Sequence, residues 1–392
     1  MGVHQNMMAE IQIPPLMKIG AGAFSEVALI LTRLQCSRPL IVTDAFLVSC
    51  GLAEKLQDQI VQAGIPCEVF SGTVPDPTTD AVDQGVSAFL EGRHDSLVSL
   101  GGGSPIDTAK AIGMLAANGG RPRDYKVPNP IPKAGPPHIA IPTTAGTGSE
   151  VTRFAVISDS ETQEKMLIAG SSLMPSAAVV DYELTMSMPR RLTADTGTDS
   201  LTHAIEAYVS RKANRFTDTL ALSAMKTIWA ELPTAFRRPE DRAAREGMML
   251  AATLAGIAFS NASVALVHGM SRPIGLFFHV PHGLSNAMLL PAVTRFSAGS
   301  APGRYADCAR TMGIAAQDDS DPVAVNKLVE GLFRRNEELE VPSPKSFGIP
   351  EGRYMEVIPT MTTQALASGS PQNNPRIPSA AEIEQLYREI WK

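Results

Sequence analysis

The sequence predicts an α/β half followed by an all-helical half. Between about residues 10 and 190, short β-branched or apolar runs such as PLIVTD and HIAIPTT alternate with helical patterns such as LAEKLQDQIVQAG. That alternation is typical of a parallel sheet with crossover helices. After MPRR at residues 188–191, long segments rich in Ala, Leu and Met replace the β-rich runs. We therefore expect two domains, residues 1–189 and residues 190–392.

Composition limits the class of protein. The chain has 392 residues, and 44% of them are hydrophobic, which is enough for sizeable cores. The formal net charge is -6 and no run of Lys or Arg is present, so nucleic acid is not an expected partner. The four cysteines have no Cys-x-x-Cys spacing, and the N-terminus lacks the apolar core of a signal peptide. We expect a cytoplasmic protein whose partners are small molecules.

One stretch, Gly247 to Val267, is about as long as a membrane span and carries no charge. Ser260, Asn261 and Ser263 interrupt it, and neither end carries an aromatic belt. A buried helix that runs directly into His268 is the better interpretation. We therefore expect no membrane partner.

Two glycine-containing stretches in the α/β half compete for a nucleotide phosphate. GAGAFS, from Gly20, lacks the third glycine of a dinucleotide fingerprint, so a tight turn is the better interpretation. SLGGGSPIDTAK, from Ser99, places three glycines after a strand, with Ser104 as the expected N-cap and Pro105 opening a helix. Backbone N–H groups there can approach a pyrophosphate without obstruction by side chains. A strand-to-helix turn without a ligand is the alternative.

Two further features lie at strand ends in this half. IPTTAGTGSEVT, Ile141 to Thr152, follows a strand with hydroxyls and glycines, which favours a second ligand-binding loop at the carboxyl edge of the sheet. Turn chemistry alone is its alternative. Asp44 ends the strand PLIVTD, where a carboxylate can bind ribose hydroxyls and repel a 2′-phosphate, favouring NAD over NADP. A helix cap explains Asp44 equally well.

Four residues of the helical half suggest a metal site. VHGMSRPIGLFFHVPHG, residues 267–283, holds three of the seven histidines. Asp199 and His203 stand at i and i+4 in a helical pattern, so they project from one face. An exposed contact is the usual role of such a pair, but apolar neighbours indicate burial here. Together with His268 and His282 they supply one carboxylate and three imidazoles, which suit zinc or ferrous ion with room for a substrate oxygen.

These motifs, taken together, resemble those of the iron-containing (group III) alcohol dehydrogenases. GGGSPIDTAK, PTTAGTGSEVT, DSLTHAIEAYVS and VHG...PHG occur in family order over nearly the whole chain. The resemblance implies an N-terminal Rossmann-like, parallel-sheet dinucleotide domain followed by an all-helical metal-binding and substrate domain. It implies Fe2+ as the metal, with Zn2+ as the alternative, and the ligands Asp199, His203, His268 and His282.

The resemblance also implies NAD as the cofactor, with NADP as the less favoured alternative. Asp76 stands at a position that is often Asn in the family, and we include it among the expected cofactor contacts. The remaining contacts implied by the family's motifs are Asp44, Gly101, Gly102, Gly103, Ser104, Asp107, Thr143, Thr144, Thr147 and Lys165.

Two residues near the expected metal ligands depart from the family pattern. Many members have a proton-relay histidine four residues after the metal histidine that corresponds to His268, where this chain has Arg272. A guanidinium cannot relay protons at ordinary pH, but it can hold an anion. His279 stands where many relatives have a neutral polar residue. We expect both residues at the catalytic site. The alternative for Arg272 is an ion pair with a structural carboxylate or with the cofactor phosphates, and the alternative for His279 is a structural role.

The expected reaction is reversible hydride transfer between a nicotinamide and a small alcohol, with an anionic hydroxy compound or semialdehyde as a candidate substrate. The alternatives on the same fold are a glycerol dehydrogenase, a dehydroquinate synthase and a maleylacetate reductase. A nucleotide-binding sensor that has lost catalysis is the alternative from another class. We expect the chain to form a homodimer or a larger homo-oligomer.

Overall fold

The computed structural model describes residues 8–162 and 164–392. The chain folds into two compact units. The first unit is Gln12–Ser187, and the second is Met188–Lys392 with the described residues before Gln12. The first is an α/β unit and the second is all-helical, which confirms the predicted fold class.

In its described residues, the first unit contains eight strands and five α-helices. The strands are β1 (Leu16–Ile19), β2 (Pro39–Asp44), β3 (Glu68–Thr73), β4 (Ser96–Gly101), β5 (His138–Pro142), β6 (Phe154–Ser158), β7 (Lys165–Ala169) and β8 (Ala177–Val180). The helices are α1 (Val27–Arg33), α2 (Ala45–Ser49), α3 (Leu52–Gln62), α4 (Thr79–Glu91) and α5 (Gly103–Asn118). Six strands form a parallel sheet in the order β1-β8-β5-β4-β2-β3, and β6 pairs antiparallel with β7.

The central strands of this sheet are buried because helices cover both of its faces. Alternate side chains of β2 point to opposite faces. Ile41 shares a core cluster with Ile30 of α1 and Leu56 of α3. Leu40, next to it, shares a different cluster with Ile112 of α5. Since all six strands run parallel, the carboxyl ends of β2, β4 and β5 lie at one edge, where the two polar loops begin.

The second unit consists of ten helices within the described residues, and their packing positions the histidines. They are α6 (Arg190–Val209), α7 (Arg215–Arg237), α8 (Arg242–Ala262), α9 (Leu266–Phe278), α10 (His282–Ala298), α11 (Pro302–Thr311), α12 (Asp321–Glu338), α13 (Pro344–Phe347), α14 (Glu351–Ala367) and α15 (Ala380–Ile390). Helix α6 packs against α7, α8 and α10, so even its polar side chains are largely buried.

The apolar stretch before His268 is not the single helix that the sequence predicted. Helix α8 ends at Ala262, Ser263 adopts a φ of 69°, and α9 begins at Leu266, with the two helices bent by 105°. His268 therefore lies in the first turn of α9. In residues 8–162 and 164–392, no helix by itself has the length and apolar character of a membrane span; α8 and α9 have both only when they are taken together, as a bent pair.

Candidate functional site

Helix α6 brings the first two predicted metal ligands together. The Nε2 atom of His203 lies 3.7 Å from Oδ1 of Asp199, as expected for residues at i and i+4. Both side chains are buried. The His203 ring stacks on Phe259 of α8 with 4.2 Å between centroids, which fixes its orientation.

Two more imidazoles converge on the same carboxylate oxygen. Nε2 of His268, on α9, lies 3.5 Å from Oδ1 of Asp199, and Nε2 of His282, at the start of α10, lies 3.8 Å from it. The His203 and His268 rings stack with 4.5 Å between centroids. Asp199 and His268 are buried, whereas the His282 side chain is 37% exposed, so solvent or a ligand can enter on its side.

Gly283 allows α10 to approach α6 closely enough for His282 to reach Asp199. A Cβ atom at position 283 would lie 2.3 Å from the carbonyl oxygen of Asp195 and 3.3 Å from Cβ of Asp199. Any side chain there would push the first turn of α10 away. The glycine that follows His282 in the sequence thus has a packing role in the site.

The donor set fits a divalent metal ion. Bonds of about 2.1 Å to one ion place neighbouring ligand atoms about 3.4 Å apart in a tetrahedral site. The three Nε2 atoms lie 3.5, 3.7 and 3.8 Å from Oδ1 of Asp199. The ligand atoms of Asp199, His268 and His282 also lie within 4.8 Å of one another; His203 joins this group through Asp199 and through its stack on His268. One carboxylate and three imidazoles form a set that iron or zinc accepts.

The imidazoles and carboxylates of the site shift each other's protonation. Burial alone would raise the pKa of Asp199, but His203, His282 and His268 outweigh it and hold that pKa well below its usual range. Burial alone would lower the pKa of His268, but Glu206 and Asp199 outweigh it and raise the pKa to about 8. A cation at this site would interact with the same negative charges.

Glu206, which the sequence interpretation missed, supports His268 from behind. Its Oε2 atom accepts from Nδ1 of His268 at 2.6 Å. A carboxylate can only accept, so a proton is on Nδ1, and in the neutral ring the Nε2 lone pair faces Asp199 and the other imidazoles. Glu206 also accepts from the backbone N–H groups of Ala265 and Val267 at 2.8 and 2.6 Å. It thereby caps the N-terminus of α9 and aligns its first turn.

Asn286 is a second neighbour that sequence reasoning missed. Its Nδ2 donates to Oδ1 of Asp199 at 2.6 Å and lies 3.2 and 3.3 Å from Nε2 of His268 and His282. Its Oδ1 is buried and has no hydrogen-bond partner among the described residues. A polar amide with an unsatisfied oxygen beside the four predicted ligand side chains is consistent with a site built for a cation. The sequence spacing could have identified both missed residues, because Asn286 follows His282 by one helical turn and Glu206 follows His203 by three residues.

The two departures from the family pattern occupy different environments. Helix α9 continues through Pro273 to Phe278, so Arg272 lies one turn after His268 on the same helix. Its side chain is half-buried. His279 is exposed and ends α9 in a left-handed conformation with a φ of 54°.

The two polar loops of the first unit meet at the carboxyl edge of its sheet. The backbone N–H of Thr143 donates to the carbonyl of Gly101 at 2.9 Å. A Cβ at Gly103 would lie 2.9 Å from Cγ2 of Thr147, and one at Gly102 would lie 3.4 Å from Thr144. The glycines thus let the loops approach each other and leave backbone N–H groups accessible at the start of α5. The expected Ser104 N-cap is wrong, because α5 begins at Gly103 with Gly102 as its N-cap.

Two charged side chains of α5 hold the second loop in place. The Nζ atom of Lys110 lies 2.7 to 3.1 Å from five oxygens of Ser149, Thr152 and Phe154. Burial lowers the pKa of Lys110 to about 8, while Asp107 and Glu150 act in the opposite direction. Asp107 accepts from Oγ of Ser149 and from the backbone N–H of Val156. Both Asp107 oxygens are therefore bound within the protein.

The remaining predicted cofactor contacts also have protein partners. Oδ1 of Asp44 accepts from the backbone N–H of Leu47 at 2.9 Å and caps α2, as the alternative interpretation expected. Lys165, at the start of β7, donates to Oδ1 of Asp76 at 2.8 Å. Asp76 is exposed and has a φ of 51°.

A parallel-sheet unit with a glycine loop at its carboxyl edge, and a buried Asp/His cluster in an all-helical unit, together define a metal-dependent dehydrogenase. The comparison with family models agrees. The model described as iron-containing alcohol dehydrogenase matches residues 14–182, and the model of the C-terminal domain of the Fe-containing alcohol dehydrogenase family matches residues 193–391. The chain belongs to the iron-containing alcohol dehydrogenase family, and it is an oxidoreductase that acts on CH–OH groups.

Individual relatives cover nearly the whole chain. Over 387 residues it is 41% identical to the NAD-dependent methanol dehydrogenase of Bacillus methanolicus, and the alignment covers 97% of this chain and 99% of the relative. Over 375 residues it is 37% identical to lactaldehyde reductase of Escherichia coli, covering 95% and 97% of the two chains. The crystal structure of sulfoacetaldehyde reductase from Bifidobacterium kashiwanohense in complex with NAD+ superposes with a TM-score of 0.88 at 28% identity, covering 99% and 100%. These names differ in substrate, so the comparison alone assigns none to this chain.

Proposed function

We propose that this chain is a NAD-dependent and metal-dependent dehydrogenase that interconverts a small alcohol and its aldehyde or ketone. In this proposal residues 1–189 hold NAD, and residues 190–392 hold the metal and the substrate. The observation that carries it is the convergence of three imidazole Nε2 atoms on one oxygen of Asp199. The name of the methanol dehydrogenase relative, which includes NAD dependence, supports the cofactor.

The proposed metal ligands are Asp199, His203, His268 and His282, with Fe2+ as the favoured metal and Zn2+ as the alternative. When bound, the metal ion supplies Lewis acidity toward the alcohol oxygen, and NAD supplies a hydride acceptor. Glu206 holds the proton on Nδ1 of His268 and thereby keeps Nε2 available as a ligand atom. The exposed part of His282 leaves a side on which a substrate oxygen can enter.

The proposed cofactor site uses the two loops at the sheet edge. The backbone N–H groups at the start of α5 suit a pyrophosphate, since Gly101, Gly102 and Gly103 present no side chain to it. Asp44 uses one carboxylate oxygen for the cap of α2, and we propose that the other binds ribose hydroxyls. We propose that Asp107 acts by holding the second loop, because both of its oxygens already accept hydrogen bonds.

The proposal extends to a substrate that carries a negative charge, namely an anionic hydroxy compound or semialdehyde. Arg272 supports this extension, and a relative of the same fold is named for its action on sulfoacetaldehyde, an anionic aldehyde. The cytoplasmic location and the homo-oligomeric state stay predictions of the sequence.

Replacement of one ligand tests the proposed function. We expect His268→Ala to lose bound metal and nearly all NAD-linked oxidation of a panel of small alcohols while it remains folded. Metal content is measured by mass spectrometry, turnover by NADH absorbance and folding by circular dichroism. The control is His94→Ala, which replaces a buried histidine of the first unit whose Nδ1 pairs with the Arg38 carbonyl. Stoichiometric metal and normal turnover in His268→Ala would contradict the assignment.

A further inference from the structure

Arg272 places one positive charge beside the proposed metal centre. Arg272 follows His268 by four residues on α9, which is helical from Leu266 to Phe278. Side chains at i and i+4 share a face, with Cβ atoms about 5–6 Å apart. The guanidinium of Arg272 and the imidazole of His268 therefore project from the same side of α9.

The part of the chain that the structure describes does not neutralise this charge with an ion pair. Within residues 8–162 and 164–392, the guanidinium of Arg272 makes no hydrogen bond, and no carboxylate oxygen lies within 4.0 Å of it. Its one electrostatic partner there is Glu206. The Glu206 oxygens already accept from the N–H groups of Ala265 and Val267 and from Nδ1 of His268. Glu206 is thus committed to α9, and the Arg272 donors remain available.

A structural arginine of the same unit shows what a satisfied guanidinium requires here. Arg245 is fully buried, and it donates to the carbonyls of Pro239 and Met188 and to the hydroxyl of Thr193. Arg272 is half-buried, and among the described residues no acceptor binds its guanidinium. Burial lowers the pKa of its guanidinium, but arginine keeps its proton at neutral pH. Five unused N–H donors in a half-buried position favour an anionic ligand.

We propose that Arg272 binds the anionic end of the substrate, which is a short aldehyde or hydroxy compound with a carboxylate, sulfonate or phosphonate group. This inference rests on the proposed function, because it places the reacting carbon near His268 and the other ligands. Because Arg272 lies one helical turn from His268, the anionic group and the reacting carbon of the substrate can be only a few bonds apart. A planar guanidinium with parallel N–H donors is complementary to such oxyanions.

The test compares aldehydes that differ in charge and not in chain length. The substrates are glyoxylate and succinate semialdehyde, each against its neutral methyl ester, with NADH and metal-loaded protein. We expect kcat/KM of the native protein to be about 10- to 100-fold higher for the better of the two anions than for its ester. Arg272→Gln should lose this preference, because its kcat/KM for the anions falls toward its value for the esters. Arg272→Lys should keep part of the preference, since a lysine retains the charge without the fork of donors.

A matched arginine on the next helix provides the control. Arg295 of α10 pairs with Glu389 at the surface, and Arg295→Gln should leave the preference unchanged. The proposal is overturned if the native protein shows no preference or if Arg272→Gln retains it. It is also overturned if Arg272→Gln raises the KM for NADH and leaves the preference intact, because the guanidinium then serves the cofactor phosphates.

A binding measurement separates this proposal from the proposed function. Titration calorimetry compares 4-hydroxybutanoate with 1,4-butanediol, without NAD, on native protein and on Arg272→Gln. The native protein should bind the anion more tightly than the diol, and Arg272→Gln should abolish this difference. Such a result supports anion binding by Arg272 even if none of the aldehydes is reduced and the proposed function fails. Anion binding by Arg272 is overturned, regardless of turnover, if the native protein binds the two compounds equally. It is also overturned if Arg272→Gln still binds the anion more tightly than the diol.

Discussion

The support that Glu206 gives to His268 leads to a prediction about metal affinity. The substitution Glu206→Gln keeps the size and shape of the side chain but replaces one carboxylate oxygen with an NH2 group. In the native protein one oxygen accepts from Val267, and the other accepts from Ala265 and His268. Either orientation of the amide therefore turns a donor toward at least one N–H group.

The expected magnitude follows from these three contacts. Loss of a partner behind a metal-binding histidine weakens metal affinity by about 10- to 100-fold, which corresponds to about 1.4 to 2.7 kcal/mol. The displaced backbone N–H adds a cost to folding, since one hydrogen bond to a charged group contributes about 1.5 to 3 kcal/mol. We therefore expect Glu206→Gln to bind metal more weakly and to unfold at lower denaturant concentration than the native protein.

Chelator competition measures the metal affinity, and urea unfolding measures the stability. Asp181→Asn is the matched control, because Asp181 is equally buried and accepts from the backbone N–H groups of Phe24 and Glu183 in the first unit. It should lose stability without any change in metal affinity. A metal affinity of Glu206→Gln within about twofold of the native value would refute the reasoning, since that lies well below the range for such partners.

Three further predictions concern the packing of the metal centre, the sheet and the cofactor. Gly283→Ala places a Cβ 2.3 Å from the Asp195 carbonyl, so we expect α10 to shift and metal content to fall in a protein that stays folded; full metal retention would contradict this. Burial lowers the pKa of His138 from 6.5 to about 3, so the stability that the neutral ring provides is present above pH 6.5 and is lost as pH falls toward 3. Between pH 7 and pH 5 this loss of stability is about 2 kcal/mol. In urea unfolding, His138→Gln should therefore lose less stability over this pH range than the native protein. Equal loss in the two proteins would contradict the role of His138. Asp44→Gly should narrow a native preference for NAD over NADP in kcat/KM; better use of NADP by the native protein would exclude the role of Asp44.

Local patterns predicted the parts of the site that lie on one element. The i, i+4 spacing of Asp199 and His203 needs only one helix, and α6 supplies it. The start of α9 was not predictable in this way, because no glycine or proline marks the break after Ala262. Instead, Glu206 fixes that start with hydrogen bonds to residues 59 and 61 positions away in the sequence. Such a boundary depends on tertiary contacts, which a periodicity argument does not include.

The start of α5 shows the same limitation at shorter range. Ser104 and Pro105 have the residue types of an N-cap and a first helical position, but the helix begins at Gly103. A glycine is required at position 101, where φ is 150° and a Cβ would lie 2.4 Å from Pro105. The close approach to Thr147 explains the glycine at position 103. Contacts with a loop more than 40 residues further along the chain therefore determine which residue type the first helical position accepts.

The attachment of the second polar loop to Lys110 has a consequence for its motions. One ammonium group within reach of five oxygens ties Ser149, Thr152 and Phe154 to the interior of α5. The loop cannot open alone without leaving a buried charge unsolvated, so it fluctuates together with the helix whose first turn carries the glycines. A ligand that binds to both loops therefore finds them already in their relative positions. Little conformational entropy is lost on binding, and the affinity depends chiefly on the contacts themselves.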